Sequence, residues 1–545
     1  MSRTTERMHR IAEERFGWAA LKPGQAEAIE TVVEGRDVLV VMPTGYGKSA
    51  VYQIAAHLLE GPTLVVSPLI ALQADQVRHL ERASGAGTAV AVNSSHSESA
   101  NERSWEAVAS GEAEFIFLAP EQLAKPEVVD ELATVGVSLV VVDEAHCVSS
   151  WGHDFRPDYL RLGATIEALG RPRVVALTAT GSAPVREEII ERLGLREPRV
   201  LVGGFDRPNI HLAVVRHEHA TAKEDAVVDT ALEADRPGLV YVATRADTER
   251  FAERFRAEGG VRAAAYHGGM GARARREVHE AFLADELDVV VATSAFGMGV
   301  DKPNVRFIVH GDITESLDAY YQEVGRSGRD GQPATATLHY RQEDLGLRSF
   351  FASGRPREER VRAVAAALSR ADRAWSGRDL AAALDLPTRA VTAILNILVE
   401  ADAAAAVDDG VVGRAGLEPE RALALVDEVV DRRKRIDESR LAMIRGYAET
   451  SRCRRAYLLE YFGVDVVEPC GNCDTCDSGS AVEQEDDAEA APGEYRLDQP
   501  VRHREWGAGR VMSVESDRIT VFFDAEGYRV LSLEAVREGD LLIAV

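Results

Sequence analysis

The sequence predicts an α/β protein with two parallel-sheet lobes in tandem, followed by smaller domains. Short apolar runs alternate with amphipathic stretches between residues 25 and 345, and continuous Val/Ile/Leu runs of this kind are typical of buried parallel strands. The first series of runs begins at residues 37, 63, 114, 138 and 173, and the second at 238, 287 and 305. A polar, proline-containing interval at 198–237 separates them, which predicts one lobe over 1–200 and another over 201–350.

The pattern changes to short helices after residue 350. Ser376, with Asp379 three residues later, indicates a helix start. Apolar residues at helical spacing follow Pro387, and AAAVDDGVVGR then predicts a hairpin. Three short helices and a hairpin favour a winged-helix-like α+β segment over 351–430.

The last part of the chain is predicted to hold a linker and a small barrel. Residues 477–494 contain seven acidic and no basic residues, which predicts a solvated linker over 478–496. Residues 497–545 alternate apolar and polar positions with glycine-marked turns until LSLEAV. Period-two alternation predicts a small β-barrel there.

Composition fits a globular protein of several domains. Of 545 residues, 46% are hydrophobic and 28% charged. The chain has no run of eighteen apolar residues and no apolar signal region at its start, so we expect no membrane partner, no secretion and a cytoplasmic location. The net charge of −26 excludes a uniformly basic coat, although a local basic groove is enough to bind nucleic acid.

The segment MPTGYGKS follows a predicted buried strand and precedes a helix-like run, which is the context of a phosphate-binding loop. Its glycines let the backbone curl so that N–H groups point at phosphate. Lys48 would supply positive charge for the β- and γ-phosphates, and the Ser49 hydroxyl would ligate Mg²⁺. Met42 breaks the strict glycine spacing. The predicted nucleotide-binding residues are Thr44, Gly45, Gly47, Lys48 and Ser49.

Two carboxylates, Asp143 and Glu144, end another predicted buried strand in VVVDEAHC. Carboxylates at that position are costly unless a cation or a reacting water uses them. Asp143 would then hold Mg²⁺, and Glu144 would accept the proton of the attacking water. An ordinary acidic pair at a strand end is the alternative, and the phosphate loop upstream favours the catalytic interpretation.

In the second lobe, QEVGRSGRDG places Arg326 and Arg329 three residues apart in a glycine-rich turn. A guanidinium that reaches the γ-phosphate from another lobe stabilises the charge that builds in the transition state. Taken alone, such a pair is also typical of a solvent-exposed basic turn.

Four of the five cysteines lie close together, with the spacing C-x16-C-x2-C-x2-C. Four thiolates with two tight spacings suit tetrahedral Zn²⁺, and four protein ligands predict a structural site over 431–477. The predicted ligands are Cys453, Cys470, Cys473 and Cys476. Neighbouring Arg452, Arg454 and Arg455 suit either phosphate contact or a solvated helix face, and Cys147 is predicted to be a buried small residue.

In this order, the motifs closely resemble those of the RecQ family of superfamily-2 DNA helicases, over residues 10–345 and again over 436–477. The further matching strings are SPLIALQADQV, NSS, ALTATG, FDRPNI, YHGGM, ATSAFGMGVDKPNVRFIVH and DEAHCVSSWGHDFRPDY. The resemblance implies that both lobes are RecA-like. It also implies ATP-dependent 3′–5′ DNA helicase activity in repair and recombination, with ATP, Mg²⁺ and Zn²⁺ as cofactors.

The resemblance also implies particular site residues. FGWAALKPGQ resembles the family's adenine-reading motif, in which Trp18 stacks on the base, Gln25 reads its edge and Lys22 assists. The aromatic-rich loop after the acidic pair implies that Trp151 senses single-stranded DNA, a role that suits stacking aromatics and arginine charge. The remaining implied residues are Gln322 for catalysis, Gly299 and Asp301 for nucleotide, and His153, Phe155, Arg156, Ser67, Pro68 and Asn93 for DNA.

The implied partners are single-stranded and tailed duplex DNA, and the implied setting is the bacterial nucleoid. A DNA-dependent ATPase that remodels protein–DNA complexes without separating strands is the alternative function, and an RNA helicase is a third.

The order of the domains departs from the family pattern. In better-known RecQ members the zinc site directly follows the two lobes, whereas here the winged-helix-like segment lies between them. Its predicted second helix, 387–402, exposes only Arg389 as a basic residue, so duplex contact and a packing or partner-binding role both stay open. The tail resembles the Tudor-like barrel of UvrD-type helicases, which implies a protein-binding module.

Overall fold

The structure, a computed structural model, describes residues 3–544 with several gaps. The gaps are residues 69, 84–86, 94–95, 152–155, 297–301, 347–354, 372, 408–409, 465, 467, 483–494, 497–498, 516–517, 524–525 and 540.

Helices and strands alternate through the first 340 residues. The described α-helices are α1 (Arg3–Phe16), α2 (Gln25–Val33), α3 (Ser49–Ala56), α4 (Ile70–Arg82), α5 (Glu98–Ala109), α6 (Pro126–Val135), α7 (Leu162–Ala168), α8 (Ala183–Leu193), α9 (Ala220–Glu233), α10 (Arg245–Gly259), α11 (Ala272–Leu283), α12 (Leu317–Val324), α13 (Glu358–Ser369), α14 (Gly377–Ala383), α15 (Thr388–Glu400), α16 (Pro419–Glu449), α17 (Arg454–Tyr461), α18 (Asp474–Asp477) and α19 (Leu533–Gly539).

The strands fall into four sheets. They are β1 (Val38–Val41), β2 (Thr63–Val66), β3 (Ala89–Val92), β4 (Phe115–Leu118), β5 (Leu139–Val142), β6 (Arg173–Thr178), β7 (Arg199–Val202), β8 (Ile210–Arg216), β9 (Gly238–Tyr241), β10 (Ala263–Tyr266), β11 (Val289–Ala292), β12 (Phe307–His310), β13 (Ala334–Tyr340), β14 (Ala404–Val407), β15 (Gly410–Gly413), β16 (Pro500–His503), β17 (Gly507–Val514), β18 (Arg518–Phe523), β19 (Gly527–Ser532) and β20 (Leu542–Ala544).

Two parallel sheets confirm the predicted pair of α/β lobes. The first has the order β3-β4-β2-β5-β6-β1-β7 and the second β10-β11-β9-β12-β13-β8, and all their ladders are parallel. The continuous apolar runs in the sequence predict the central strands, which are buried on both faces. They do not predict the edge strands β3, β7, β8 and β10, each of which has only one neighbouring strand in its sheet. They also do not predict β13, which is rich in Thr and Ala.

The interval 198–237, predicted to separate the lobes, is more structured than its polar composition suggests. It contains the last strand of the first sheet, the first strand of the second sheet and α9. The crossing from one lobe to the other is therefore the short stretch between β7 and β8.

The winged-helix-like prediction is confirmed by α13, α14, α15 and the β14–β15 hairpin. Ser376 caps α14, because its Oγ accepts the Asp379 N–H at 3.1 Å. The predicted boundary at 430–431, however, falls inside the continuous helix α16. Ala422 of that helix packs into the winged-helix core and Tyr447 into the motor core, so one helix serves both.

The tail forms a five-stranded antiparallel sheet with the order β19-β18-β17-β16-β20, and α19 lies between its last two strands. The predicted acidic linker lies largely outside the described residues. Across the described part of the chain, no single helix is long and apolar enough to cross a membrane; the bent pair α14 and α15 passes that test only jointly, on length and composition.

Candidate nucleotide site and DNA-facing loop

The predicted phosphate loop joins β1 to α3, where a curled backbone is required. Gly45 and Gly47 have φ of +79° and +88°, the left-handed region that glycine enters without steric cost. The Lys48 ammonium donates to the carbonyls of Met42 at 2.9 Å and Pro43 at 3.4 Å, so it lies across the mouth of the loop. Burial lowers the pKa of Lys48, while the Glu144 and Asp143 carboxylates act in the opposite direction.

The predicted adenine-reading residues hold the phosphate loop in place. The Gln25 amide donates to Gly47 O at 2.8 Å, and its Oε1 accepts the Lys22 N–H at 2.7 Å. The Lys22 ammonium donates to Gly45 O at 3.3 Å. Trp18 stacks on Phe16 with ring centroids 4.6 Å apart. Because both polar ends of Gln25 bind protein, reading a base edge would require Gln25 to exchange one of these bonds.

The acidic pair follows β5 directly. Asp143 is only 7% exposed, and burial, together with the adjacent Glu144 charge, raises its pKa to about 7. A carboxyl group in that state is a poor anion until a cation arrives, and a divalent cation favours its ionised form. The donor set of Asp143 and Ser49 therefore fits Mg²⁺. Glu144 adopts a left-handed backbone conformation with φ of 49°, which a non-glycine residue enters only at a cost.

His146 and Thr178 complete this part of the site, and sequence reasoning missed both. The His146 Nδ1 lies 3.0 Å from Thr178 Oγ1 and 3.3 Å from Glu144 Oε2. Since the Thr178 hydroxyl donates to Thr180 O at 2.6 Å, Nδ1 of His146 is the donor to it. His146 thus links the acidic pair to the end of β6, and its position inside the DEAH string was the available signal.

Arg329 from the second lobe lies against the phosphate loop of the first. A Cβ placed on Gly45 would come within 3.1 Å of Arg329 Cδ and 3.2 Å of its Nε, so the Arg329 side chain lies directly against the backbone of the loop. The positive charge of Arg329 also contributes to lowering the pKa of Lys48. The two cationic groups predicted to meet at the phosphates therefore lie together between the lobes.

Of the other predicted second-lobe residues, two lie within the second lobe and two lie outside the described residues. Arg326 is buried within the second lobe beside Tyr241, where its charge opposes the effect of burial on the Tyr241 pKa. Gln322 is half-buried in the last turns of α12. Gly299 and Asp301 lie outside the described residues. The geometry thus distinguishes Arg329 from Arg326 as the residue facing the nucleotide site.

The four cysteines of the predicted zinc site converge. Their Sγ atoms all lie within 4.8 Å of one another, with Cys470 to Cys476 at 3.9 Å and Cys473 to Cys476 at 3.4 Å. Tetrahedral Zn–S bonds of about 2.3 Å place sulfurs about 3.8 Å apart, so the cluster fits Zn²⁺. Hydrogen bonding with Cys453 lowers the pKa of Cys473 and raises that of Cys470; bound Zn²⁺ would stabilise all four thiolates.

Family profiles cover both lobes and the cysteine region. A DEAD/DEAH box helicase profile matches residues 22–189, a helicase conserved C-terminal domain 222–331, and a RecQ zinc-binding domain 420–477. The tail matches a protein family of unknown function, DUF3553, at 496–537.

Curated relatives point to the same family. The chain is 35% identical over 461 residues to the ATP-dependent DNA helicase RecQ of Pasteurella multocida, covering 85% of this chain and 61% of that one. It is 40% identical over 349 residues to the RecQ of Bacillus subtilis, covering 63% and 58%. The chain belongs to the RecQ family of helicases. It spans about three fifths of the length of these relatives.

Solved structures agree with this RecQ assignment at the level of fold. The DUF1998 helicase MrfA bound to DNA gives a TM-score of 0.53 at 16% identity, covering 77% of this chain and 64% of that chain. The Mycobacterium smegmatis helicase Lhr bound to ssDNA and AMP-PNP gives 0.50 at 19% identity, covering 96% and 78%. At these identities the likeness concerns the architecture alone.

Several residues that the RecQ resemblance assigns to DNA share one hydrogen-bonded network. Gln73 donates to Ser67 O at 3.0 Å and accepts from the Asn93 amide at 3.3 Å, and Arg156 donates to Pro68 O at 3.0 Å. Ser67 and Asn93 are 1% and 2% exposed, which favours a role in holding the loops over direct contact by their side chains. His153 and Phe155 lie outside the described residues.

Trp151 is half-buried, and its indole contacts the C-terminal sheet. Its indole meets the Phe522 ring of the C-terminal sheet edge-on, with ring centroids 4.9 Å apart. Nothing in the sequence pattern indicates this contact, because the two residues belong to separate motifs more than 350 positions apart.

Of the arginines beside the zinc ligands, Arg454 and Arg455 are buried, so they do not form a solvated helix face, and Arg452 is half-buried. Arg454 is buried and its Nε donates to Asp474 Oδ1 at 2.8 Å. Arg455 is buried and donates to Ile210 O at the start of β8, also at 2.8 Å. Arg452 pairs with Glu460 at 2.6 Å. These cations therefore join the zinc region to itself and to the second lobe. Cys147 is fully buried, as predicted.

Replacing Cys473 by serine is expected to remove bound zinc and to unfold the region around it. Cys473 is fully buried and its backbone pairs with Leu212 of β8, so loss of the ion would also loosen the zinc region from the second lobe. Metal content by mass spectrometry of the intact protein, with thermal unfolding, measures both. Cys147→Ser, at a buried cysteine that is not a predicted ligand, is the matched control and should keep its zinc. A parent protein that contains no zinc and still unfolds cooperatively would contradict the assignment.

Proposed function

We propose that this protein is an ATP-dependent DNA helicase of RecQ type that moves 3′ to 5′ along single-stranded DNA and separates duplexes in repair and recombination. The observation that carries the proposal is the approach of Arg329 to Gly45 and Lys48 across the two lobes. It supports a nucleotide site completed only when both lobes are present. The 3′-to-5′ polarity is carried over from the RecQ resemblance. We further propose that the protein works in the cytoplasm, associated with the nucleoid.

Hydrolysis would use side chains from both lobes. Lys48 and Arg329 bind the phosphates from opposite lobes and stabilise the charge that develops on them. Glu144 accepts the proton of the attacking water, and His146, which is hydrogen-bonded to Thr178, lies beside that carboxylate with its Nδ1 3.3 Å from Glu144 Oε2. Ser49 and Asp143 would hold Mg²⁺, which would supply positive charge close to the phosphates.

Coupling to DNA would use the loop that directly follows the acidic pair. Trp151 stands seven positions after Glu144, and an indole stacks on any base without sequence preference. Arg156 lies against Pro68 beside the network that holds Ser67 and Asn93. Movement of this loop on DNA binding would therefore reach Glu144 through only a short stretch of chain.

Strand displacement tests the proposal directly. We expect ATP-dependent displacement of the paired strand from a 3′-tailed DNA duplex and little or none from a 5′-tailed duplex or an RNA duplex. Release of a fluorescent strand is measured with parent protein and with Glu144→Gln as the inactive control. DNA-stimulated hydrolysis without displacement on any duplex would favour the alternative, a DNA-dependent ATPase that remodels protein–DNA complexes. The observation in the structure that favours this alternative is the docked C-terminal sheet. Binding of a partner protein by that sheet stays a prediction.

A further inference from the structure

The C-terminal module, residues 495–544, has two apolar faces. Alternate residues of β17 and β18 point into its own core, which contains Val511, Val521 and Phe523. The residues between them face the other way. Met512, Phe522 and, on β19, Tyr528 belong to the apolar cluster of the motor, and all three are buried. We call these three residues the docking face.

The docking face meets the motor at Trp151 and at α16. Phe522 packs edge-on against the Trp151 indole at 4.9 Å, and the Tyr528 N–H donates to Ser439 Oγ at 2.7 Å. Gly527 has φ of +75°, and a Cβ there would come 2.5 Å from Ser439 Oγ and 2.9 Å from Trp151 Cη2. The backbone of the module therefore lies directly on the outer ring of the indole.

Contacts from outside the first lobe hold Trp151 and its neighbours. Arg440 of α16 donates to Ser150 O at 2.8 Å, and the docking face covers the far end of the indole. Within the lobe, the Ser149 hydroxyl donates to Glu188 Oε2 at 2.8 Å and accepts the Trp151 N–H at 3.1 Å. Ser149, Ser150 and Trp151 are thus held from two sides.

The module also connects the two lobes. Its Arg510 pairs with Glu187 of the first lobe at 3.3 Å, while Tyr528 packs on Tyr461 of α17 at 5.6 Å. The zinc region that carries Tyr461 is anchored on β8 of the second lobe, where the Val214 N–H donates to Asp474 Oδ2 at 3.0 Å. A change in lobe spacing must therefore shift the docking face relative to Trp151 or to Tyr461.

We propose that the C-terminal module is an autoinhibitory element: by packing Phe522 and the backbone at Gly527 on Trp151, it competes with single-stranded DNA for the side chain that couples DNA binding to hydrolysis. The inference rests on the coupling role of Trp151 in the proposed function. A base can stack on an indole only over surface that is free, so DNA binding at Trp151 is weakened by the free energy of docking that it must replace.

Two variants of the full chain release the contact by opposite means. Phe522→Ala removes the aromatic contact and leaves the module's own core unchanged, whereas Gly527→Ala inserts a methyl group between the module, Ser439 and Trp151. Each is expected to lower the concentration of an oligodeoxythymidine that gives half-maximal ATPase stimulation by between about twofold and tenfold, the size of one aromatic pair. The maximal stimulated rate should stay unchanged. Unfolding of the module in either variant would also release Trp151 and give the same result.

Ile543→Ala is the matched control, because Ile543 is 59% exposed on β20, at the opposite edge of the sheet from β19; it should leave the half-stimulating concentration unchanged. In a Trp151→Ala background, Phe522→Ala should not restore DNA stimulation, since its target is gone. An unchanged or higher half-stimulating concentration in Phe522→Ala, with stimulation lost in Trp151→Ala, overturns the autoinhibitory contact alone. Full stimulation retained in Trp151→Ala overturns the coupling role, and the autoinhibitory inference with it.

Discussion

Replacing Lys48 by alanine is expected to lower ATP hydrolysis by at least about 100-fold, the loss seen when one preorganised electrostatic donor is removed from a reaction centre. The Lys48 ammonium already lies across the loop, held by two carbonyls at 2.9 and 3.4 Å, and it faces the Glu144 and Asp143 carboxylates. Its removal takes away the lysine charge that the first lobe supplies to the phosphates. Binding of single-stranded DNA should persist, because the residues proposed to contact DNA lie on other loops.

Steady-state hydrolysis with and without oligodeoxythymidine, together with fluorescence anisotropy of a labelled oligonucleotide, separates these two effects. Lys434→Ala is the matched control, since Lys434 is an exposed lysine of α16 that pairs with Glu438, a turn away on the same helix. A Lys48→Ala protein that still turns over ATP at a comparable rate would contradict the assignment of the phosphate loop.

The sequence predicts the central strands and the chemical residues of the site for the same physical reason. A strand covered on both faces must be continuously apolar, and charged residues that end such a strand stand out against it. Lys48 follows β1 closely and Asp143 follows β5 directly, so their positions at one edge of the sheet follow from the topology of a parallel sheet. The zinc cysteines are similarly predictable, because the x2 spacing itself brings the sulfurs together.

Contacts between distant segments could not be predicted in this way. The choice between Arg326 and Arg329 depends on which side chain leaves the second lobe, and two arginines three residues apart have the same signal in the sequence. The sequence predicts that Arg454 and Arg455 face solvent or DNA, because cations are seldom buried. Their partners Asp474 and Ile210 come within hydrogen-bond distance only in the folded chain. The predicted boundary at 430–431 lies inside α16, and the sequence does not show that this helix packs one end in each of two cores.

The position of the C-terminal module shows a further limit. Period-two alternation in β18 correctly predicts a strand with one buried face, but Phe522 belongs to the face that the alternation assigns to solvent. Only the second, docked surface explains why a large aromatic residue stands there. An apolar residue on the outer face of a small sheet is thus a signal for a docking surface, although it does not identify the segment that covers it.

Replacing Arg329 by alanine is expected to lower the maximal rate of hydrolysis by about 10³- to 10⁵-fold, the contribution of an arginine supplied to the γ-phosphate in related phosphoryl transfers. The side chain reaches the first lobe beside Gly45, so its guanidinium acts on the phosphates only when the lobes face each other. Nucleotide affinity should change far less, because the phosphate loop and Lys48 remain. Stopped-flow binding of a fluorescent ATP analogue measures affinity, and phosphate release measures the rate.

Two variants make the Arg329 result specific. Arg329→Lys keeps a positive charge but loses the planar fork of donors, so it should restore only part of the rate. Arg273→Ala removes a second-lobe arginine that is 92% exposed on α11 and should hydrolyse ATP like the parent. Hydrolysis by Arg329→Ala within about tenfold of the parent rate would mean that the charge in the transition state is stabilised without Arg329. In that case the approach of Arg329 to Gly45 would be a packing contact, and Arg326, three residues earlier, would have to turn out of the second-lobe interior to supply the missing cation.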